Sequence, residues 1–228
     1  MEEYNVEIYN QNNEGEGITR IDNVVTFVPY SLPGDNLNIN IKEKFKKYNI
    51  GNIININKES IEREKPRCPY YYECGGCNLM HQKYEYQLEF KKKKVINNLS
   101  KISNIEFDNI EIINDINSNY RNNIKLHIIG NKMGFYKNNT NEIIDINECL
   151  ISDSRINKII QQIHIFINKY TNHNIEEIDI RSYNNTMINI KSINFNFKNE
   201  LLNYINVDSI YINDKYYYSG RVSYYHGL

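Results

Sequence analysis

Short runs in which apolar and polar residues alternate fill the first quarter of the chain, and they predict several strands. Alternating, β-branched or aromatic runs occupy residues 6–9, 24–28, 37–41 and 54–57. Such runs are typical of strands that bury one face, and turn residues such as those at 32–35 separate them. Because several short strands follow one another at this spacing, we expect an OB-like β-barrel over residues 1–62.

A different pattern, in which strands alternate with two helices, runs from residue 63 to residue 215. Apolar residues recur at helical spacing in 81–102 and 153–170, and Asp153 can cap the second helix. One face of that second helix carries Ile156, Ile159, Ile160, Ile163 and Ile167. Strands are predicted at 110–113, 124–129, 143–146, 176–182, 186–193 and 207–213. The fold class is therefore α+β, with a central α+β domain after the barrel.

Charge and hydropathy bear on the partner and the cellular compartment of the protein. The 228 residues carry a net charge of −1, yet residues 42–101 hold 14 Lys and Arg against 7 Asp and Glu. An anionic partner and a solvated surface explain this basic segment equally well. The N-terminus lacks the features of a secretory signal, and no apolar run approaches the roughly 20 residues of a membrane span. We therefore expect a cytoplasmic protein without membrane contact.

The four cysteines form a pattern of three plus one. Cys68, Cys74 and Cys77 lie within ten residues, and Cys149 follows much later. In a cytoplasmic protein such a group more often binds metal than forms disulfides. Four thiolates hold either zinc or an iron–sulfur cluster, and zinc sites more often use two close pairs. The spacing favours the cluster, with zinc and unligated buried cysteines as alternatives. His81 is a conceivable further ligand, but a polar residue near a helix start is the simpler interpretation.

The residues around the first three cysteines resemble a known family. From residue 66 to 94 the chain is similar to the cluster-binding region of bacterial 23S rRNA uracil-C5 methyltransferases, which use S-adenosylmethionine. The matching positions are Cys68, Pro69, Cys74, Gly75, Gly76, Cys77, His81, Tyr84, Gln87, Leu88 and Lys91. Residues 16–35 resemble the TRAM domain, a small RNA-binding β-barrel that precedes the cluster in this family. Asn123 stands where Lys is usual, but further family motifs match at 120–122, 134–136 and 142–151.

The resemblance implies a 4Fe-4S cluster on Cys68, Cys74, Cys77 and Cys149, and RNA, specifically 23S rRNA, as the partner. In this family a cysteine thiolate adds to carbon 6 of uracil, and carbon 5 then takes a methyl group from S-adenosylmethionine. All four cysteines here are assigned to the cluster, and no Gly-rich loop follows a strand as a donor site would require. We therefore expect no catalytic residue and no S-adenosylmethionine site in this chain.

The chain then corresponds to the recognition part of such an enzyme. We expect residues 216–228 to begin a shortened methyltransferase domain, onto which helix 81–102 docks, unless a separate chain supplies that domain. Candidate phosphate contacts are Arg20, Lys91, Arg121, Lys125 and Lys137. We expect a monomer. The alternative function is a standalone RNA-binding protein that carries an iron–sulfur cluster, or zinc, and has no enzyme activity.

Overall fold

The computed structural model describes residues 2–103 and 110–219, which belong to two compact units interleaved in sequence. The first unit comprises Met1–Arg67 and Cys77–Asn114, and the second comprises Cys68–Gly76 and Asp115–Leu228, as far as these ranges are described. The chain therefore passes from the first unit to the second and back within the run of three cysteines. The predicted domain boundaries at residues 62 and 215 stay predictions, because compactness alone does not define a functional domain.

The first unit is built on a six-stranded sheet. Its strands are β1 (Glu3–Glu7), β2 (Asn10–Gln11), β3 (Gly17–Ile21), β4 (Val24–Val28), β5 (Asn36–Lys44) and β6 (Tyr48–Lys58), in the spatial order β1-β5-β6-β4-β3-β2. The segment that holds β1 and β2 pairs with β5 through its first half and with β3 through its second half. The sheet therefore curls into a half-barrel, and its core contains Val6, Ile8, Ile21, Val28, Leu37 and Ile39.

The strands predicted at 24–28, 37–41 and 54–57 are confirmed, and the strand predicted at 6–9 overlaps β1 only at residues 6 and 7. The OB-like β-barrel stays a prediction. The helix that follows, α1 (Tyr84–Ser103), begins three residues later than predicted. The reason is that the preceding residues are hydrogen bonded elsewhere, since the Lys83 amide donates to the Glu62 carbonyl oxygen at 2.8 Å. No described side chain of α1 is buried, and even its apolar residues Val95 and Leu99 are exposed.

The second unit is built on a seven-stranded sheet. Its strands are β7 (Asn123–Ile129), β8 (Lys132–Tyr136), β9 (Ile143–Asp145), β10 (Ile175–Ser182), β11 (Thr186–Ser192), β12 (Ser209–Ile212) and β13 (Lys215–Ser219), in the order β13-β12-β11-β10-β7-β8-β9. The pairing of β11 with β12 is parallel, and the other neighbouring pairs are antiparallel. The mixed α+β class predicted from the sequence is confirmed.

The long helix of this unit, α2 (Ser154–Lys169), packs against the sheet as its apolar spacing predicts. Asp153 caps it, because its Oδ1 accepts a hydrogen bond from the Arg155 amide at 2.8 Å. All five isoleucines of the predicted face are buried in one core with strand residues such as Ile178 and Ile188. A short helix, α3 (Lys198–Leu201), was not predicted and adds Leu201 to this core.

One strand predicted from the sequence is absent from the described part of the chain. The strand predicted at 110–113 is wrong, since these residues are irregular and Ile113 is exposed. Strand propensity takes effect only where a partner strand is present, and no strand of either sheet pairs with these residues. Of the predicted methyltransferase start at 216–228, residues 220–228 lie outside the described residues, and the earlier part belongs to β13. Nowhere in the described ranges is a helix both long and apolar enough to cross a lipid bilayer.

Candidate functional site

Cys68 and Cys74 lie on a loop of the second unit that hydrogen bonds attach to the end of β8. The Gly75 amide donates to the Tyr136 carbonyl oxygen at 3.1 Å. Cys74 and Lys137 form an isolated antiparallel bridge beside it. The loop therefore continues the edge of the sheet for a short distance, and this pairing sets the position of the Cys74 backbone.

Cys149, distant in sequence, is fixed by the first turn of α2. Its amide donates to Asn157 Oδ1 at 2.8 Å, and Asn157 Nδ2 donates back to the Cys149 carbonyl oxygen at 3.1 Å. A side-chain amide that pairs with both backbone groups of one residue imitates a strand partner. Asn157 is therefore the positioning residue of Cys149, a role that sequence analysis missed because nothing in the helix pattern distinguishes this asparagine.

Three of the four thiols influence one another within the second unit. Burial is the largest cause that raises the pKa of Cys68 and of Cys74, and the nearby Cys149 thiol raises both pKa values further. The Arg121 guanidinium acts in the opposite direction and lowers the pKa of Cys74. Thiols must lose their protons to bind metal, so ligation in this half-buried setting couples metal uptake to proton release.

The fit of these thiols to a cluster rests on their chemistry more than on their arrangement. Thiolates are the ligands of both iron–sulfur clusters and structural zinc, so the donor set suits either group. Within residues 2–103 and 110–219, however, no group of three or more His, Cys, Asp or Glu side chains is arranged to hold a metal ion. The predicted ligand set of Cys68, Cys74, Cys77 and Cys149 therefore stays a prediction.

A buried ion pair organises the first unit. The Asp35 carboxylate, which is fully buried, accepts hydrogen bonds from the Leu32 amide at 2.7 Å and the Ser60 amide at 2.8 Å. The Arg63 guanidinium binds both oxygens of this carboxylate and donates to the Tyr30 carbonyl oxygen at 3.0 Å. Paired charges with their hydrogen bonds satisfied are the form in which buried charges occur in proteins.

His81 lies fully buried beside this ion pair, and the structure favours a structural interpretation over a ligand role. Its carbonyl oxygen accepts from the Glu64 amide at 3.0 Å, and its ring meets the Tyr30 ring edge-on at a centroid distance of 6.2 Å. Burial and the Arg63 charge lower the pKa of His81 to about 4. The residues that follow Cys77 are thus attached to the half-barrel through a neutral histidine.

This histidine makes the stability of the first unit depend on pH. In the unfolded chain His81 has its ordinary pKa near 6.5, so between pH 6.5 and 4 the unfolded state binds the proton and the folded state does not. We expect a fall from pH 7.5 to 5 to lower the free energy of unfolding by about 2 kcal/mol through this group. Urea unfolding of the wild-type chain and of a His81→Phe variant, followed by circular dichroism, measures the effect.

The variant is expected to show a flatter pH dependence, whatever its stability at pH 7.5. A His164→Gln variant serves as the matched control, since His164 lies in the second unit. An equal loss of stability in wild type and His81→Phe between pH 7.5 and 5 would show that another group carries the pH dependence.

The five candidate phosphate contacts occupy different surroundings. Lys125 and Lys137 are engaged in ion pairs, with Glu177 at 3.2 Å and with Glu142 at 3.1 Å respectively. The other three, Arg20, Lys91 and Arg121, are exposed and form no ion pair with a described carboxylate. Their role in RNA binding stays a prediction.

Comparison with known proteins identifies the domain family of the half-barrel. Residues 1–54 match the family model of the TRAM domain. This range covers β1 to β5 and most of β6, so the curled sheet of the first unit is a TRAM domain. The resemblance noted in residues 16–35 is thereby confirmed.

The chain is also homologous to RNA methyltransferases. It is 36% identical over 190 residues to an uncharacterized RNA methyltransferase of Clostridium acetobutylicum, a match that covers 80% of this chain and 40% of that protein. A Staphylococcus aureus RNA methyltransferase is 36% identical over 159 residues, which is 66% of this chain and 35% of that protein. The chain thus spans about 40% or less of the length of these curated relatives.

A solved structure matches most of the chain. The tRNA (uracil-54, C5)-methyltransferase of Pyrococcus abyssi, solved in complex with S-adenosyl-L-homocysteine, superposes with a TM-score of 0.65 at 27% identity. The match covers 91% of this chain and 50% of that one. The similarity therefore includes both the TRAM domain and the α+β unit.

Proposed function

We propose that this chain is the RNA-recognition and cluster-binding portion of an S-adenosylmethionine-dependent RNA uracil-C5 methyltransferase. The observation that carries the proposal is the match of 91% of the chain to half of a tRNA (uracil-54, C5)-methyltransferase. The TRAM match over residues 1–54 supports RNA as the partner. The motif at 66–94 supports 23S rRNA as the target, whereas the neighbour's own substrate is tRNA, so the test includes both RNAs.

The proposed cluster ligands are Cys68, Cys74, Cys77 and Cys149, and their proposed role is architectural. The cluster would supply a covalent link between the cysteine loop and the start of α2. Support comes from the three thiols that interact within the second unit and from the Asn157 contacts that fix Cys149. Four thiolate ligands leave no open position for substrate, so these residues bind and orient rather than react.

We propose that the methyl donor binds to another part of the enzyme. S-adenosylmethionine supplies the methyl group in the proposed reaction, and uracil additionally requires a nucleophilic cysteine. Each cysteine of this chain is proposed as a ligand, and none of the described glycines joins the end of a strand to the start of a helix. We therefore propose no catalytic role for this chain alone, and we propose that α1 docks on the domain that binds the donor.

The alternative is a standalone RNA-binding protein with a cluster or zinc. Anaerobic purification with iron, sulfide and zinc analysis distinguishes the two metals. Transfer of labelled methyl groups to 23S rRNA and to tRNA is then measured with the chain alone and with a supplied catalytic domain. We expect RNA binding by the chain alone, and methylation only when the catalytic domain is added.

Each result of this assay bears on a separate element of the proposal. Methylation by the chain alone would overturn the proposal that catalysis requires a further domain. Modification of tRNA but not of 23S rRNA would correct the target, and an absence of binding to either RNA would overturn the recognition role. Arg121→Gln is expected to weaken RNA binding relative to the matched control Lys158→Gln, which alters an exposed charge on the helical side of the same unit.

A further inference from the structure

The connection between β5 and β6 combines exposed lysines with an exposed aromatic ring. Residues 42–48 form a hairpin tip, closed by a hydrogen bond from the Phe45 amide to the Tyr48 carbonyl oxygen at 2.9 Å. Four of these residues are lysines, Lys42, Lys44, Lys46 and Lys47, and all four are exposed. Phe45 is also exposed, at 45%, although a phenylalanine ordinarily gains most by burial.

The aromatic ring at the tip is held in a defined orientation. Phe45 stacks on Tyr48 with a centroid distance of 4.6 Å and an interplanar angle of 19°, and Tyr48 contacts Phe27 at 5.5 Å. One face of the Phe45 ring is thus fixed against Tyr48, while 45% of the residue remains exposed. A preoriented ring of this kind is what a nucleobase needs as a stacking platform.

The lysines of the tip are available to bind an anion, unlike Lys125 and Lys137 of the second unit. Within the described ranges none of the four forms an ion pair, and only Glu43 interrupts their charge. Lys125 and Lys137 of the second unit, in contrast, already bind carboxylates. Each unpaired lysine can neutralise a phosphate and release a counterion on binding.

A cavity lies next to the same aromatic pair. It measures about 560 Å³, and its walls combine Phe27 and Tyr48 with the amides of Asn10 and Asn97, the ammonium of Lys101 and the carboxylates of Glu14 and Glu16. Small-molecule sites span about 300–1,000 Å³, so this volume suits a nucleotide. Amide side chains such as those of Asn10 and Asn97 can both donate to and accept from base edges, whereas a lysine can only donate.

From these observations we propose that the hairpin tip, residues 42–48, is a binding site for single-stranded RNA. A base stacks on Phe45, phosphates lie against Lys42, Lys44, Lys46 and Lys47, and the cavity beside Tyr48 takes the adjacent nucleotide. An aromatic pair that served only to stabilise the hairpin would require neither the lysines nor the cavity. This inference rests on the proposed RNA-binding function and assigns it to residues that the sequence analysis passed over.

The test uses the full chain and a single-stranded oligouridylate of about 12 nucleotides, within the usual site size of an OB-type barrel, carrying a single 2-aminopurine. Binding is followed by fluorescence anisotropy, and stacking is followed by quenching of 2-aminopurine. Phe45→Ala is expected to weaken binding roughly 5- to 100-fold and to abolish the quenching. Phe45→Tyr keeps a stacking ring and is expected to retain both.

Charge and stacking are separated by a second set of variants. Replacing Lys44 and Lys46 by alanine is expected to reduce the slope of log affinity against log salt by about 0.7 for each lysine lost. Lys58→Ala, an exposed lysine of β6 away from the tip, and Tyr183→Leu, an exposed aromatic of the second unit, are the matched controls and are expected to bind as wild type does.

The possible failures are distinguishable. If the wild-type chain binds the oligonucleotide but Phe45→Ala and the lysine variant bind equally well, the hairpin site is wrong and the proposed function stands. If the wild-type chain binds neither this oligonucleotide nor 23S rRNA nor tRNA, both proposals are overturned. Circular dichroism spectra and unfolding midpoints that match wild type exclude misfolding as the cause, since the substituted side chains are exposed.

Discussion

Replacing Asp35 by alanine is expected to destabilise the TRAM domain by about 3–5 kcal/mol, the usual cost of breaking a buried ion pair. The variant leaves the Arg63 guanidinium, whose side chain is only 6% exposed, without its counter-charge. It also removes the acceptor of two backbone amides, Leu32 and Ser60. Urea unfolding at pH 7.5, followed by circular dichroism, gives the change in the free energy of unfolding.

The control for this prediction is Glu7→Ala, which removes an exposed carboxylate of β1 and is expected to change stability by no more than about 0.5 kcal/mol. A double variant, Asp35→Leu with Arg63→Leu, separates the pair from its parts. Because it leaves no unpaired buried charge, we expect it to be more stable than Asp35→Ala. Equal stability of Asp35→Ala and Glu7→Ala would mean that the ion pair contributes little.

The contrast between α2 and Asp35 shows which features of the fold can be predicted from the sequence. Five isoleucines at helical spacing were enough to predict α2 and its buried face, because the periodicity is local and each residue acts through the same face. Asp35 was identified only as part of a turn. Its partners Ser60 and Arg63 lie 25 and 28 residues away, and no periodic pattern connects a carboxylate to a distant guanidinium.

The strand predicted at 110–113 is wrong for a related reason, because a local pattern does not show whether a distant partner strand exists. Three isoleucines satisfy the local preference for a strand, but none of the described strands pairs with them. The hairpin tip was missed for a different reason, since its lysines were counted only as charge. The stacking of Phe45 on Tyr48, which gives that charge a specific use, depends on the hairpin register and is visible only in three dimensions.

For the cysteines, the sequence predicts which residues are ligands, and the structure shows how three of them are positioned. Spacing and resemblance predicted four ligands, and the structure brings Cys68, Cys74 and Cys149 into electrostatic contact within one unit. Sequence could not predict that Asn157 would hold Cys149 through two hydrogen bonds. Metal analysis tests whether the four predicted cysteines are the ligands.

If the proposed cluster is present, replacing Cys149 by alanine is expected both to remove it and to destabilise the second unit. The proposed fourth ligand joins the start of α2 to the cysteine loop, and metal binding energy of this kind is also folding energy. We expect iron and sulfide contents near zero, loss of visible absorbance after anaerobic purification, and an unfolding midpoint well below that of wild type. Metal analysis and urea unfolding on the same preparation measure both effects.

Ser152→Ala provides the matched control for Cys149→Ala, because it removes one side-chain heteroatom from the same segment. Ser152 is fully buried and its hydroxyl has no hydrogen-bond partner in the described part of the chain, so its loss is expected to be neutral or stabilising. A colourless Cys149→Ala protein with wild-type stability and RNA affinity would show that the cluster has no architectural role. Zinc in place of iron in the wild-type protein would instead assign the four thiolates to the alternative metal, for which the same loss of stability is expected.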